Sequence, residues 1–309
     1  MMQNLETIDN TYTILSIKNT EGPYATYRVR HNQTNNLHLI DVYQNQIPAN
    51  LMNIMNNLIA INHPNVIHVI GHGNGPIALN NHPQVNRPYI VYENVIHSDL
   101  YAYILIQHFT ERQAKWIFKK ILEGVQALHN ANICHRDLKI SSILLDNNYN
   151  PKIIDFNFSC INMNNLNERV GTKIFMAPEV LLNKPYNGFN ADIFNLGEIM
   201  FSLVTGIPGF NSAKPDDNYY KLIIKHDFDK YWEIIGSYAK NLSYDFKKLF
   251  LRMVDFNPAN RPSIKEILKD PWMQEINDLT LEERNALENE VRNEFGIREQ
   301  QIQPNHQNQ

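Results

Sequence analysis

His135-Arg136-Asp137-Leu138-Lys139 opens a series of five short motifs that decides the fold of this chain. Asp155-Phe156-Asn157 comes next, followed by residues 171–179 (GTKIFMAPE), residues 192–197 (DIFNLG) and Arg261-Pro262. Each motif alone is short enough to arise by chance, but five in this order and at these spacings form a specific pattern. The pattern therefore predicts a single fold that covers most of the 309 residues.

The five motifs resemble those of the eukaryotic protein kinases, and most closely the calcium/calmodulin-dependent-like Ser/Thr group. The resemblance extends over residues 12–273. It implies an α+β, bilobal fold, with a small antiparallel β-sheet N-lobe at about 12–93 and a mainly helical C-lobe at about 97–273. Residues 1–11 would then be an N-terminal extension, and residues 274–309 a C-terminal amphipathic helix followed by a polar tail.

Local patterns agree with this division. Apolar residues between polar turns predict strands within residues 12–43, and helical spacing predicts a helix over 48–62. Two short strands are expected near 66–70 and 89–92, with a loop rich in Asn, His and Pro between them. From residue 98 onward helices dominate, and Thr110 with Gln113 forms a capping box at the start of one of them.

Phosphoryl transfer needs a held triphosphate, metal ions and a positioned hydroxyl group. By the resemblance, Asp137 is the catalytic aspartate that accepts the substrate proton, Lys139 is the lysine typical of Ser/Thr kinases, and Asp155 is a magnesium ligand. Ser142 replaces the asparagine that would bind a second magnesium ion, and serine is a poorer ligand. Asn157 replaces the glycine of the Asp-Phe-Gly motif. Asparagine tolerates a positive φ, so the turn is expected to survive.

The residues that would bind ATP depart further from the family. Gly22 alone remains of the glycine-rich loop, and Pro23 has no amide to offer a phosphate, so an ordinary hairpin turn is the better interpretation. Asp41 replaces the lysine that anchors ATP, and the period of two places it on the same strand face as Leu39, toward the cleft. Opposite unit charges about 4 Å apart attract by roughly 4 kcal/mol at an effective dielectric near 20, so a reversed sign would cost about twice that.

The family's partner for that lysine is missing as well. No glutamate occurs between Glu21 and Glu93, although one would be expected near Ile54. No lysine occurs between Lys18 and Lys115, and Lys18 lies too early in the first strand to substitute. The sequence therefore predicts weak or absent ATP binding.

The segment 90–95 resembles the hinge whose backbone pairs with adenine. Glu93 and Val95 would supply that backbone, which alone could admit a nucleotide weakly, and Tyr92 would guard the back of the pocket. Asp99 falls where the family often has a ribose-contacting acid. A solvated surface carboxylate is an equal alternative for Asp99.

Structural residues of the C-lobe are complete. By the resemblance, Glu179 and Arg261 form a buried ion pair, and Asp192 holds the backbone of the catalytic loop. Glu168 lies where related kinases often carry a phosphothreonine, so it could pair with Arg136 without phosphorylation. An exposed loop charge is the equal alternative for Glu168.

Composition argues against a nucleic-acid-binding protein and against a membrane-spanning one. The net charge of -4 and the absence of a basic run argue against nucleic acid, and no apolar run is long enough to span a membrane. Two cysteines and an N-terminus without a signal-like pattern indicate a cytoplasmic protein. The histidines show no ligand spacing for a metal site.

Three hypotheses follow. The first is a pseudokinase, a kinase-fold interaction or regulatory module with weak or absent ATP and magnesium binding. The second is a Ser/Thr protein kinase of low activity with an atypical phosphate site. The third hypothesis concerns the setting of the protein: the tail, or else the C-lobe, binds a protein partner in a larger assembly, which could be cytoskeletal or ciliary. The tail suggests this because Leu287, Val291 and Phe295 fall at i, i+4 and i+8 of a helix that is expected to stop at Gly296. A tail helix folded back on the C-lobe is an equal alternative.

Overall fold

A computed structural model describes residues 6–20, 22–79 and 84–306 of the chain. The chain divides into two compact units, Met1–Ile96 and His97–Gln309. Strands dominate the first unit and helices the second. The predicted α+β class, with its antiparallel N-terminal sheet and helical C-terminal part, is therefore confirmed.

The first unit is a closed antiparallel barrel with the strand order β1-β2-β3-β4-β6-β5. Its elements are β1 (Thr7–Ile8), β2 (Tyr12–Asn19), β3 (Tyr24–His31), β4 (Leu37–Tyr43), α1 (Ala49–Ile59), β5 (Val69–Ala78) and β6 (Val85–Glu93). Ile40 and Val42 of β4 enter the barrel core with Val29 and Val91. Because side chains alternate along a strand, Asp41 lies on the opposite face of the sheet.

The barrel includes part of the predicted N-terminal extension and corrects one prediction about a loop. Within residues 1–11, Ile8 is fully buried and β1 pairs with both β2 and β5. The loop expected after residue 70 is largely the long strand β5, whose residues Gly71–Ile77 pair with β6. Glycine permits this packing at Gly73, where a Cβ would lie 2.5 Å from the Tyr89 ring. Composition alone misidentified the segment because Gly, Asn, His and Pro are typical of loops, and only pairing with the following strand β6 makes this segment a strand.

The second unit consists mostly of helices. Its elements are α2 (Leu100–Ile106), α3 (Glu111–Asn130), β7 (Ile133–Cys134), β8 (Ile143–Leu145), β9 (Pro151–Ile153), β10 (Cys160–Ile161), α4 (Pro178–Leu181), α5 (Gly188–Thr205), α6 (Tyr220–Ile224), α7 (Phe228–Ile235), α8 (Tyr244–Met253), α9 (Ile264–Leu268), α10 (Pro271–Asn277) and α11 (Leu281–His306). The capping box predicted at Thr110 and Gln113 is present at the start of α3. In the part of the chain that the structure describes, every helix is too short or too polar to cross a lipid bilayer.

Helix α11 folds back on its own unit, against α2 and α3. It starts at a capping box between Thr280 and Glu283. Leu287, Val291 and Phe295 are fully buried, so the predicted apolar stripe is covered within the chain. A partner in the proposed assembly would therefore have to bind another surface.

The predicted stop at Gly296 is wrong, because α11 continues to His306. Polar residues beyond Gly296 also pack: Arg298 is 2% exposed, pairs with Glu294 and donates to the carbonyl of Gln107. Tertiary contacts thus offset the low helix propensity of glycine. Residues 300–306 of the predicted polar tail are helical, and residues 307–309 lie outside the described residues.

Helix α5 carries a fully buried carboxyl group, Glu198. Its Oε2 accepts a hydrogen bond from the amide of Gly209 at 3.1 Å, and no described residue bonds to its Oε1. Burial raises the pKa of Glu198 from its ordinary 4.5 to about 8. The folded protein therefore holds this proton at neutral pH.

We predict that Glu198 makes the protein less stable as pH rises. Between pH 4.5 and about 8 the folded state retains the proton while the unfolded state has released it, so the free energy of unfolding falls across this window. Glu198→Gln should remove the effect. Between pH 5 and pH 8, the wild type should lose roughly 4 kcal/mol relative to this variant in denaturant titrations. The exposed Glu282→Gln is the control, and identical pH profiles for all three proteins would contradict the prediction.

Candidate active site

The buried carboxylate of Asp192 holds the backbone of the segment that follows β7. Asp192 of α5 accepts hydrogen bonds from the amides of His135 (2.9 Å) and Arg136 (2.8 Å) and contacts Nε2 of His129 at 2.9 Å. Arg136 has a φ of 66°, a left-handed conformation that these bonds hold in place. The role predicted for Asp192, holding the loop backbone, corresponds to this arrangement.

Asp137 lies in a compact polar cluster with Lys139 and Thr172. Lys139 Nζ is 2.7 Å from Asp137 Oδ2 and 2.9 Å from Thr172 Oγ1. The amide of Thr172 donates to Asp137 Oδ1 at 2.6 Å. Only 2% of the Asp137 side chain is exposed. A carboxylate held by a lysine and a hydroxyl group is placed to accept a hydrogen bond from an incoming hydroxyl and to orient it.

Thr172 is the residue that sequence reasoning missed. It was part of a recognised motif, but nothing in its spacing indicated a bond to Asp137, 35 positions earlier. The preceding Gly171 allows this approach: its φ is 106°, and a Cβ there would lie 2.7 Å from the carbonyl oxygen of Arg136. The sequence signal that could have indicated this bond is the glycine at residue 171, directly before the hydroxyl group of Thr172.

The sequence predicts weak or absent magnesium binding, with Asp155 as the family's ligand and Ser142 in place of the second. Ser142 Oγ donates to the carbonyl of Lys139 at 2.8 Å and accepts from its amide at 2.9 Å, so this buried hydroxyl caps its own turn. Asp155 offers a carboxylate, with Oδ1 bonded to Asn157 Nδ2 at 2.5 Å and Oδ2 3.9 Å from Lys139 Nζ. Of the two predicted positions, Asp155 thus fits as a ligand for a single ion, and Ser142 does not fit as the second ligand.

The turn at Asp155 differs from the prediction. The positive φ falls on Asp155 itself, at 67°, and Asn157 is not among the described residues with positive φ. The Asn157 side chain instead stabilises the turn through its bond to Asp155. The tolerance of asparagine for positive φ is therefore not what the structure uses here.

Of the two alternatives for Glu168, the structure contains the ion pair with Arg136, with 2.8 Å between Nη1 and Oε2. Arg136 also donates to the carbonyl of Phe158, and the Tyr186 hydroxyl donates to the carbonyl of Glu168 at 2.9 Å. Burial works against the charge of Arg136, but the hydrogen bonds of Glu168 and Tyr186 raise the pKa of its guanidinium. Two contacts of Arg136 thus connect this loop segment to the catalytic loop, and Tyr186 holds Glu168 by a third.

We predict that Glu168→Ala loosens the segment without unfolding the domain. Glu168 is 68% exposed, so the pair should contribute less than about 1 kcal/mol to global stability. Local opening should nonetheless increase trypsin cleavage after Arg169 several-fold. Glu168→Gln keeps a hydrogen-bonding oxygen and is the control. Unchanged cleavage in the alanine variant would contradict a role for the pair.

A bidentate ion pair joins Glu179 of α4 to Arg261. Both N–O distances are 2.7 Å, and the side chains are 6% and 0% exposed. Arg261 also donates to the carbonyls of Asp255 and Asn190, each at 2.9 Å. The pair predicted from the resemblance is present, and it connects residues 82 positions apart.

In the first unit, the environment of Asp41 suits an anion. The Thr26 hydroxyl donates to Asp41 Oδ1 at 2.6 Å. Burial and then the charge of Asp41 raise the pKa of Tyr92 well above its ordinary value. The Tyr92 hydroxyl also lies 3.8 Å from the sulfur of Met55, on the helix where the family's glutamate was expected. Lys18 is exposed on β2.

The other residues predicted to contact a nucleotide make turn, backbone or capping contacts within their own units. Gly22 has a φ of 89°, as a turn requires. The amide of Glu93 donates to the carbonyl of His68 and its carboxylate accepts from the His68 amide, at 3.0 and 2.8 Å. Val95 is buried. Asp99, in the second unit, caps α2 by accepting from the amide of Ala102 at 3.0 Å, a role that neither alternative for it included.

Comparison with known proteins identifies the family. Residues 19–273 match the protein kinase domain. The chain is 35% identical over 195 residues to "Probable serine/threonine-protein kinase HSL1" of Saccharomyces cerevisiae, covering 62% of this chain and 12% of that protein. It is 34% identical over 191 residues to "CBL-interacting protein kinase 10" of Oryza sativa subsp. japonica, 60% of this chain and 40% of that protein.

A longer match links the chain to "Serine/threonine-protein kinase SRK2J" of Arabidopsis thaliana, at 31% identity over 251 residues, which are 79% of this chain and 70% of that protein. The matches to HSL1 and the rice kinase span less than half of those relatives. The matched region contains the motifs at residues 135–139, 155–157 and 171–179. The chain belongs to the protein kinase family.

Proposed function

We propose that this chain is a pseudokinase, a kinase-fold regulatory or interaction module that binds ATP weakly or not at all. The observation that carries the proposal is Asp41. It is a carboxylate at the family's ATP-anchoring position, and the Thr26 hydroxyl donates a hydrogen bond to it at 2.6 Å. A phosphate placed near it would meet repulsion in place of an ion pair.

Two further features support weak nucleotide binding. Met55 lies on the helix that would carry the partner glutamate, and its sulfur accepts a long hydrogen bond from the Tyr92 hydroxyl at 3.8 Å, so an uncharged side chain stands on this helix of the first unit. In the second unit, the hydroxyl of Ser142 is committed to the backbone of Lys139, which leaves Asp155 as the sole predicted magnesium ligand. Binding ATP requires the positive charges of the anchoring lysine and of the bound metal ions.

Thermal denaturation with and without Mg-ATP tests the proposal. A ligand at 100 times its Kd stabilises the folded state by about 2.7 kcal/mol, so a real ligand raises the melting temperature. We expect no shift for the wild type at millimolar Mg-ATP. Asp41→Asn, which removes the charge but keeps a hydrogen-bond acceptor, and Asp41→Lys, which restores the cation, should each produce a shift. A shift in the wild type as large as in Asp41→Lys would refute the proposal.

A second candidate is a Ser/Thr protein kinase of low activity. The cluster of Asp137, Lys139 and Thr172 favours it, because a proton acceptor and a lysine remain in contact. The relatives named as serine/threonine-protein kinases point the same way. The candidate predicts phosphate transfer to a protein substrate that Asp137→Ala abolishes. Transfer that survives in Asp137→Ala would come from a contaminating kinase.

The setting of the protein is also a proposal. We infer a cytoplasmic module that binds protein partners through the exposed surface of the second unit, in a larger assembly such as a cytoskeletal or ciliary one. The buried stripe of α11 is unavailable for this role. Co-purification from cells, followed by imaging of the tagged chain, tests the inference. A protein that is recovered alone and spread evenly through the cytoplasm would contradict it.

A further inference from the structure

The two cysteines of the chain lie side by side. Cys134 of β7 and Cys160 of β10 are directly opposed in an antiparallel pair, with 3.1 Å between their sulfur atoms. Directly opposed residues have Cα atoms about 4.5–5.5 Å apart, which is within the range that a disulfide spans. The sequence holds no other cysteine. The geometry therefore already approaches that of a cross-strand disulfide, although both thiols are free.

The two thiols have different environments. Cys134 is fully buried, and Gly188 makes room for its sulfur, since a Cβ there would lie 2.4 Å from Sγ. Cys160 is partly exposed. The hydrogen bond from Cys134 and the charge of Arg136 lower the pKa of Cys160, although burial opposes them. Cys160 is thus the accessible and more nucleophilic thiol, with Cys134 behind it as the second sulfur.

The position of the pair couples it to the candidate active site. Cys134 directly precedes His135 of the catalytic loop, and Cys160 lies in the segment that leads to Glu168. The hydroxyl groups of this segment are already engaged. Ser159 is 1% exposed and donates to the carbonyl of His135, and Thr172 is bonded to Asp137. Cys160 is therefore the side chain between Asp155 and Gly171 that is best placed for a reversible covalent modification.

We propose that Cys134 and Cys160 form a reversible modification site, at which a hydroperoxide oxidises the pair to an intramolecular disulfide. The bond would tie the strand before the catalytic loop to the following loop segment. It would act beside the Arg136–Glu168 ion pair as a second, covalent connection. The proposal does not depend on whether the domain transfers phosphate.

The chemistry balances with hydrogen peroxide as the oxidant. The Cys160 thiolate attacks one peroxide oxygen, the O–O bond breaks, and the product is a sulfenic acid, with hydroxide taking a proton to leave as water. The Cys134 sulfur then attacks the Cys160 sulfur, the S–O bond breaks, and a second water leaves with the Cys134 proton. Two thiols and one peroxide thus yield one disulfide and two waters. The sulfur atoms must approach from 3.1 Å to about 2.05 Å.

The test is to treat the full chain with hydrogen peroxide, quench it, and measure thiols and intact mass. We expect the thiol count to fall from two to none, with a mass loss of two hydrogen atoms. Proteolysis should yield one cross-linked fragment that holds Cys134 and Cys160. Dithiothreitol should restore both thiols, and the oxidised chain should melt several degrees higher.

Two variants serve as controls. Cys160→Ser should keep its one thiol at the same peroxide dose, because Cys134 is buried. Cys134→Ser should gain oxygen at Cys160 instead of losing hydrogen, because no second sulfur is present. The proposal is overturned if wild-type Cys160 gains oxygen while Cys134 stays a free thiol. Disulfide-linked dimers in place of the internal bond, or no reaction at all, would overturn it equally.

Discussion

Arg261→Met is expected to lower the free energy of unfolding of the second unit by roughly 3–5 kcal/mol. The substitution strands the carboxylate of Glu179, which is 6% exposed and loses both of its 2.7 Å bonds to the guanidinium. The carbonyls of Asp255 and Asn190 lose a donor as well. Burying an uncompensated charge is the dominant cost, because the interior cannot replace the lost hydration.

A double variant separates this cost from the loss of packing. In Glu179→Met/Arg261→Met no charge is stranded, so a substantial part of the lost stability should return. Chemical denaturation followed by tryptophan fluorescence is a suitable measurement, since Trp116, Trp232 and Trp272 all belong to the second unit. A double variant as unstable as the single one would show that the charge is not the cause.

Phe295→Ala is expected to cost roughly 3–5 kcal/mol and to release α11. The Phe295 ring is fully buried, with centroids 5.0 Å from Tyr103, 5.3 Å from Phe109 and 5.8 Å from Tyr149. Removing it leaves a cavity between α11 and α2. Arg298, which lies 4.0 Å over the Phe109 ring, would be exposed to solvent as the helix detaches.

Ile297→Ala on the same helix provides the matched control. Its side chain is 56% exposed, so the stability should change by no more than about 0.5 kcal/mol. Denaturant midpoints and the rate of proteolysis within 281–306 would be measured for both variants. Equal midpoints for the two would mean that α11 contributes little to the stability of the second unit.

The two units differ in how closely they follow the family. The second keeps a proton-accepting aspartate, its lysine and the buried Glu179–Arg261 pair in contact. The first carries Asp41 bonded to Thr26 where a cation belongs. The residues that hold the second unit together thus match the family, whereas residue 41 of the first unit carries a charge opposite to that of the family's lysine.

The catalytic loop, the two-part organisation and the Glu179–Arg261 pair could all be predicted from the sequence, because the five ordered motifs resemble those of a family in which each of these positions has a role. Strand and helix periodicity likewise located most elements of the fold. Predictions failed where contacts between elements override local propensity. The glycine-rich strand β5 forms by pairing with the next strand, β6, and α11 continues past Gly296 because Arg298 packs on residues near 107, which are 191 positions earlier.

The sequence by itself determined the family, the α+β class and the residue types at the family's positions, including the carboxylate at residue 41. Only the tertiary structure decided that Thr172 bonds to Asp137, that the Ser142 hydroxyl is consumed by its own turn, and that Cys134 meets Cys160. The physical reason is that hydrogen bonds and sulfur contacts depend on distances of a few ångströms. Residue order constrains such distances only within a single element, while the packing of elements sets them everywhere else.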